Sequence, residues 1–182
     1  CYFKDGKLLF AIEEERITRK KHTSDFPINS IKECLEQTNI KEDEITHIAF
    51  NTKPNSNFYS KIKFLDKNFS FKNNYIKRFY NKNRVNKIFL KYFSFNSQVK
   101  FYFIEHHLAH IASAFYASEF KDAIGLSIDG SGDFTSMMIA ECKNEKIKVK
   151  EKINFPDSLG IFYHAMTQFL GFKNFGDEYK AM

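Results

Sequence analysis

Cysteine is scarce in this 182-residue chain, and Cys1, Cys34 and Cys142 are odd in number and far apart. That spacing excludes a disulfide framework and a paired thiolate metal site, and it points to a reducing compartment. Tryptophan is absent. No apolar run approaches the roughly 18 uncharged residues that a membrane span needs. A secretory leader is not expected either, because the first residues already read as a strand. No internal repeat of fixed period is found, which excludes repeat arrays. Together these absences make a cytoplasmic globular protein the expectation.

What is present supports a real core: 43% of residues are apolar and 22 are phenylalanine, enough for one domain of this length. The formal charge of +6 is unevenly spread. Residues 61–91 hold ten basic side chains (Lys61, Lys63, Lys67, Lys72, Lys77, Arg78, Lys82, Arg84, Lys87, Lys91) against Asp66 alone. The segment therefore carries a local +9 and leaves the rest of the chain at −3. Both termini read as cut points: the chain starts at Cys1 inside a strand pattern and stops at Met182 without a capping signal. A fragment of a longer protein is expected.

Asp5-Gly6 between apolar runs signals a hairpin joining residues 1–4 to 7–13. The following run, residues 13–22, is too charged for burial. Pro27 opens a helix with Ile28, Ile31, Cys34 and Leu35 on one face, ending near Asn39. Residues 45–50 read as a strand, 52–74 as an Asn/Ser/Lys-rich loop and 75–93 as one or two basic helices. Strands are expected at 99–104, 123–128 (buried), 134–140 and 147–153. A helix spans 106–117, and another starts from a Ser158 cap, turns Leu159, Phe162, Ala165, Met166 and Phe169 to the core, and stops at Gly171. Mixed strands and helices of this kind argue for an α/β fold.

Two segments carry the candidate chemistry. In Glu105-His106-His107-Leu108-Ala109-His110 a helix places His106 and His110 one turn apart on one face, where two imidazoles can share a metal ion. The helix N-terminus disfavours the imidazolium, so these rings tend to the neutral, ligating form. His107 points about 100° away and either faces substrate or supports a ligand. Twenty residues on, Ile128-Asp129-Gly130-Ser131-Gly132-Asp133 closes a strand. It reads as a plain hairpin turn, or as a loop whose Gly130 and Gly132 let backbone N–H groups approach a phosphate while Asp129 faces a metal or nucleotide. Two imidazoles and one carboxylate would suit Fe(II), Mn(II) or Zn(II). A calcium-loop spacing is absent. Arg19, Lys20 and Lys21, at the exit of the charged run, are candidate phosphate contacts.

Read together, Glu13–His22, His106–Tyr116, Ile128–Asp133, Ser158-Leu159-Gly160 and Glu178–Met182 resemble the N-terminal domain of the O-carbamoyltransferases, the nodulation-factor and antibiotic-tailoring enzymes. The resemblance implies an actin-like ATPase (ribonuclease-H-like) fold, similar to the tRNA threonylcarbamoyl-transfer subunit. It would be incomplete at both ends, with residues 1–182 forming one partial domain and a variable basic helical insertion at about 52–98. It implies an enzyme that moves a carbamoyl group from carbamoyl-adenylate to a hydroxyl of a sugar or other small acceptor. A separate C-terminal domain would make that adenylate from carbamoyl phosphate and ATP. Carried over by motif, His106, His110 and Asp129 would hold a divalent metal, with Fe2+ the ion implied. Lys21 would contact the nucleotide phosphate, with Lys21 and His107 as candidate catalytic groups and Lys21, Gly130 and Gly132 as candidate nucleotide contacts.

The departures are equally specific. A His-Asp-Ala/Ser segment that precedes Cys1 in the family, the Gly-Leu-Ala after Met182, the second half of the fold with its metal-binding aspartate, and the adenylating domain are all missing. The polypeptide alone is therefore expected to be inactive. Nucleic acid is not expected as a partner. Two rival readings remain: a tRNA-modifying relative gripping RNA through the +9 segment and its nine aromatics between Phe64 and Phe93, and a non-enzymatic module binding nucleic acid or an anionic membrane surface.

Overall fold

In the computed structural model the described residues are 1–21, 23, 25–67, 85–174 and 176–181. Along the chain they form β1 (Tyr2–Lys4), β2 (Lys7–Phe10), α1 (Glu14–Thr18), α2 (Ile28–Thr38), β3 (His47–Phe50), α3 (Phe58–Lys67) and α4 (Val85–Tyr92). There follow β4 (Lys100–Phe103), α5 (His106–Ala117), β5 (Asp122–Gly132), β6 (Thr135–Lys143), β7 (Lys146–Asn154) and α6 (Leu159–Phe169). Mixed α/β structure is what the sequence led us to expect. No described helix is long and apolar enough to cross a membrane.

The chain divides into two compact units, Cys1–Ile48 with Arg84–Phe101, and Ala49–Asn83 with Tyr102–Met182. In the first, Asp5 and Gly6 both take positive φ, 50° and 76°, the two-residue turn that matches the twist of the β1–β2 hairpin. Helix α2 lacks a side-chain cap from Pro27. Glu14 of α1 does that work from a distance: its carboxylate accepts from the backbone and side chain of both Asn29 and Ser30, at 2.6–3.3 Å. Burial tends to raise the Glu14 carboxyl, but these donors outweigh it and hold it below its usual value. Phenylalanine builds the core here, with Phe89 edge-on to Phe26 at 5.4 Å and against Phe95 at 5.1 Å. That arrangement suits the ring quadrupoles.

The second unit holds the antiparallel sheet β5–β6–β7. Both of its turns place two residues at positive φ, Asp133 and Phe134 in one, Asn144 and Glu145 in the other. Helix α5 covers one sheet face, packing Ile111 and Phe115 on Met138, Ala140 and Cys142. Gly125 is required there, because Ile111 Cγ2 lies 2.5 Å from where a Cβ would stand. The other face of β5 is bare: Ile124 is 70% and Leu126 58% exposed, and among the described residues only β6 pairs with this strand.

Several expectations need correction. The strand at 123–128 is half-covered rather than buried, because α5 reaches only its odd-numbered face. It also continues to Gly132, so the acidic loop is the end of a strand. Residues 58–67, expected as loop, form α3, whose Phe64 packs against Phe134 and Phe155. Helix α6 is capped by Ser158 as expected, yet Leu159, Phe162 and Phe169 are exposed and Thr167 is its buried residue. Its N-terminal end docks on β5, through Ser158 and Gly160. Of the basic segment, Lys72, Lys77, Arg78, Lys82 and Arg84 lie outside the described residues. Lys61 within it is buried and donates to Pro54 O.

Candidate functional site

Glu105 accepts from Leu108 N at 2.9 Å and so caps α5. A capped first turn fixes the start of the helix at His106, and His110 follows one turn later on the same face. The Glu105 side chain is itself buried, its Oε1 without a hydrogen bond and 4.0 Å from Lys152 Nζ. On the facing strand Ile128 pairs with Met137 and Gly132 with Thr135. Residues 129–131 thus stand opposite Ser136 alone. Such a bulge twists the strand and redirects a side chain, here Asp129.

The three side chains converge. His106 Nε2 lies 3.0 Å from Asp129 Oδ2 and 3.0 Å from His110 Nε2, and His110 Nε2 lies 3.8 Å from the same oxygen. One proton on His106 Nε2 serves only one of its two contacts well. A deprotonated nitrogen would instead face the carboxylate lone pair to lone pair. A cation at the point all three face satisfies every one of them. Burial tends to raise the Asp129 carboxyl, but the Gly130 amide, donating to Oδ1 at 2.6 Å, and the two imidazoles outweigh it, keeping the carboxylate ionised.

The donor set fits a divalent ion. Two ligands each about 2.1 Å from one metal and at right angles lie about 3.0 Å apart, the His106–Asp129 and His106–His110 spacing. Two imidazoles and one carboxylate on one side leave the other coordination positions open. A shallow depression of about 360 Å³, lined by His110, Leu126, Ser127, Ile128 and Asp129, adjoins this side. A larger hollow of about 870 Å³ at the far end of α5, beside Phe115 and Glu145, contains none of these groups.

A family description for the carbamoyltransferase N-terminus matches residues 1–182, the whole chain. The chain belongs to the carbamoyltransferase N-terminal family. It is 32% identical over 193 residues to the uncharacterized protein sll1178 of Synechocystis, covering 98% of this chain and 31% of that protein. It is also 32% identical to the uncharacterized protein MJ1051 of Methanocaldococcus jannaschii, covering 98% of this chain and 29% of that protein. With the nodulation protein NolNO of Sinorhizobium fredii the identity is again 32%, over 98% of this chain and 26% of that protein. The chain thus spans less than a third of the length of these curated relatives.

Gly132 owes its identity to His106: a Cβ there would stand 1.9 Å from the imidazole Cδ2. The His106 ring lying on the backbone is by itself a reason for glycine at this position. Gly130 has open space where a Cβ would be, and its N–H is taken up by Asp129. His107 is fully enclosed, with Nδ1 2.8 Å from Ser127 Oγ and Nε2 2.9 Å from Thr135 O. The expectation that it faces substrate fails, because the ring is sealed between α5 and the sheet. Burial holds it below the usual imidazole value, so it stays neutral. Lys21 lies in the other unit, exposed in a turn after α1.

The sequence reading passed over Asp133, Thr52, Lys53 and Asn57. Asp133 Oδ1 accepts from Thr52 Oγ1 at 2.7 Å, and Oδ2 accepts from Lys53 N at 2.6 Å and His106 N at 3.1 Å. Asn57 Nδ2 donates to Asp133 O and Thr135 Oγ1. Asp133 stood in a quoted motif but read as a turn residue. Thr52 and Lys53, some 80 positions away, carried no signal.

Proposed function

We propose that this chain is the metal-bearing part of an ATP-dependent O-carbamoyltransferase, built on an actin-like, ribonuclease-H-like fold. Three antiparallel strands followed by a helix docked on the first of them support that fold. The reaction passes a carbamoyl group from carbamoyl-adenylate to a hydroxyl of a sugar or other small acceptor. The observation that carries the reading is the convergence of His106 Nε2, His110 Nε2 and Asp129 Oδ2, all within 4.8 Å of one another, in a chain that belongs end to end to the carbamoyltransferase N-terminal family.

His106, His110 and Asp129 would hold a divalent ion, Fe2+ in this reading, and that ion would supply positive charge beside the acyl phosphate. The chain's own residues do the rest. His106 and His110 present imidazole nitrogens, and Asp129 a carboxylate kept ionised by Gly130 N–H and both rings. Gly132 lets the His106 ring lie flat against the strand end. Lys21, an exposed ammonium, is the candidate contact for the adenylate phosphate. The open depression along Leu126 and Ile128 leaves room for a small molecule beside the donor set.

The test is a binding experiment on the purified chain. One divalent ion per chain is expected by anaerobic titration with Fe2+ or Co2+, and His106→Ala or His110→Ala should abolish it. A non-hydrolysable sulfamoyl analogue of carbamoyl-adenylate should then bind the metal-loaded chain and bind more weakly to Lys21→Ala. Metal uptake unaffected by both histidine variants removes the site. Metal binding without analogue binding removes the adenylate.

A further inference from the structure

A buried carboxylate needs donors to be tolerated, and the donors that Asp133 has gathered are unusual in their origin. The residue sits on the β5–β6 turn, only 7% exposed, four positions after Asp129. One of its partners is His106 N, the first amide of α5. That amide has no acceptor within the helix, and the positive end of the helix favours a carboxylate there. The other two partners, Thr52 Oγ1 and Lys53 N, come from the segment after β3. Asp133 O accepts from Ser56 Oγ and Asn57 Nδ2 of that same segment. One residue therefore joins the hairpin that carries Asp129, the helix turn that carries His106 and the 52–57 segment. The imidazole of His106 is confined from below as well, since it lies over Gly132.

We infer that Asp133 is the positioning residue of the site: it fixes His106 in its ligating pose against Asp129 and couples the 52–57 segment to that pose. The inference rests on His106 and Asp129 being metal ligands. Asp133 acts through the backbone amide of His106. Without it, three donors lose their acceptor and the first turn of α5 is free to shift relative to the strand. Partners that orient a ligating residue typically cost 10–100-fold in metal affinity when removed.

The experiment is a Co2+ titration of the full chain, following both affinity and the ligand-field absorption, which responds to coordination geometry rather than to stability. Asp133→Ala is expected to weaken Co2+ about 10–100-fold and to change the absorption. Asp133→Asn, which keeps one acceptor oxygen, should recover part of the loss, and Thr52→Val should weaken binding only a few-fold. Ile147→Ala, which trims the core elsewhere in the same unit, should leave affinity and spectrum as they are. If Asp133→Ala does not fold by circular dichroism, Asp133→Asn and Thr52→Val carry the test. Wild-type affinity and spectrum in these variants, with His106→Ala still abolishing binding, overturn the positioning role and leave the metal site standing. An equal loss in Ile147→Ala also overturns it. A wild-type chain that takes up no Co2+ removes the metal site and this inference together.

Discussion

Gly132→Ala is a one-carbon perturbation aimed at the centre of the site. The added Cβ would stand 1.9 Å from His106 Cδ2, 2.2 Å from Cγ and 2.7 Å from the His106 Cβ. Carbon atoms in contact settle at about 3.5 Å or more, so the ring has to retreat by about 1.6 Å. Rotation about the side-chain torsions can provide that movement, but only by carrying Nε2 away from Asp129 Oδ2, now 3.0 Å distant. Metal–ligand distances tolerate about 0.2 Å, so a displacement several times larger removes His106 from the donor set. Loss of one of three protein ligands should exceed the 10–100-fold cost of disturbing a supporting partner. The assay is anaerobic Fe2+ or Co2+ titration of wild type, Gly132→Ala and Gly130→Ala side by side. Gly130 is the control, because a Cβ there meets nothing within 4 Å; its alanine variant should bind metal normally and change stability by less than about 1 kcal/mol. Equal metal affinity for wild type and Gly132→Ala would refute the reasoning, as would a loss in Gly130→Ala as large as in Gly132→Ala.

Glu14→Ala removes the acceptor for four donors at the start of α2 and should cost about 1–2 kcal/mol by urea unfolding at pH 7, the scale of a lost helix cap. Because the folded Glu14 carboxyl lies below the usual 4.5, its stabilisation is full above that value and fades as pH falls through the folded one, so the variant's deficit should shrink in acid. A deficit that grows toward low pH would contradict the assignment. His107→Ala should destabilise by about 3 kcal/mol, through a cavity and the orphaned Ser127 and Thr135 partners, while one metal ion per chain is still taken up. Gly160→Ala forces a Cβ to within 2.6–2.8 Å of the Asp129 and Gly130 backbone. It should raise hydrogen exchange at the α6 N-terminus, where unchanged protection would mean that α6 is held elsewhere.

The sequence exposes the elements whose cause is local. Helix α5 can be read to the residue, because Glu105 is a usable cap and the i, i+4 histidines share a face. The β5–β6 and β6–β7 turns are legible for the same reason. What stayed hidden depends on partners distant in the chain. The bulge at 129–131 arises from a mismatch with β6, which leaves no trace in β5 itself. Helix α3 lies within the Asn/Ser/Lys-rich stretch 52–74 that reads as loop, and its Phe64 finds Phe134 and Phe155 only after folding. Apolar periodicity in α6 is real, yet it says that a face is apolar, not that this chain covers it. Asp129 stands out in the sequence because it closes an apolar strand run, whereas its approach to His106 and His110 depends on the bulge. Asp133 was missed because its donors come from residues 52, 53 and 106.

Strand β5 leaves one long side without a hydrogen-bonding neighbour among the described residues, next to a row of uncovered isoleucine and leucine. Such an edge accepts any extended backbone offered to it. In a concentrated tube the most abundant such backbone is another molecule of the same kind. Stoichiometry measured at high protein concentration would then report on self-pairing as well as on metal, so dilution series belong beside every titration.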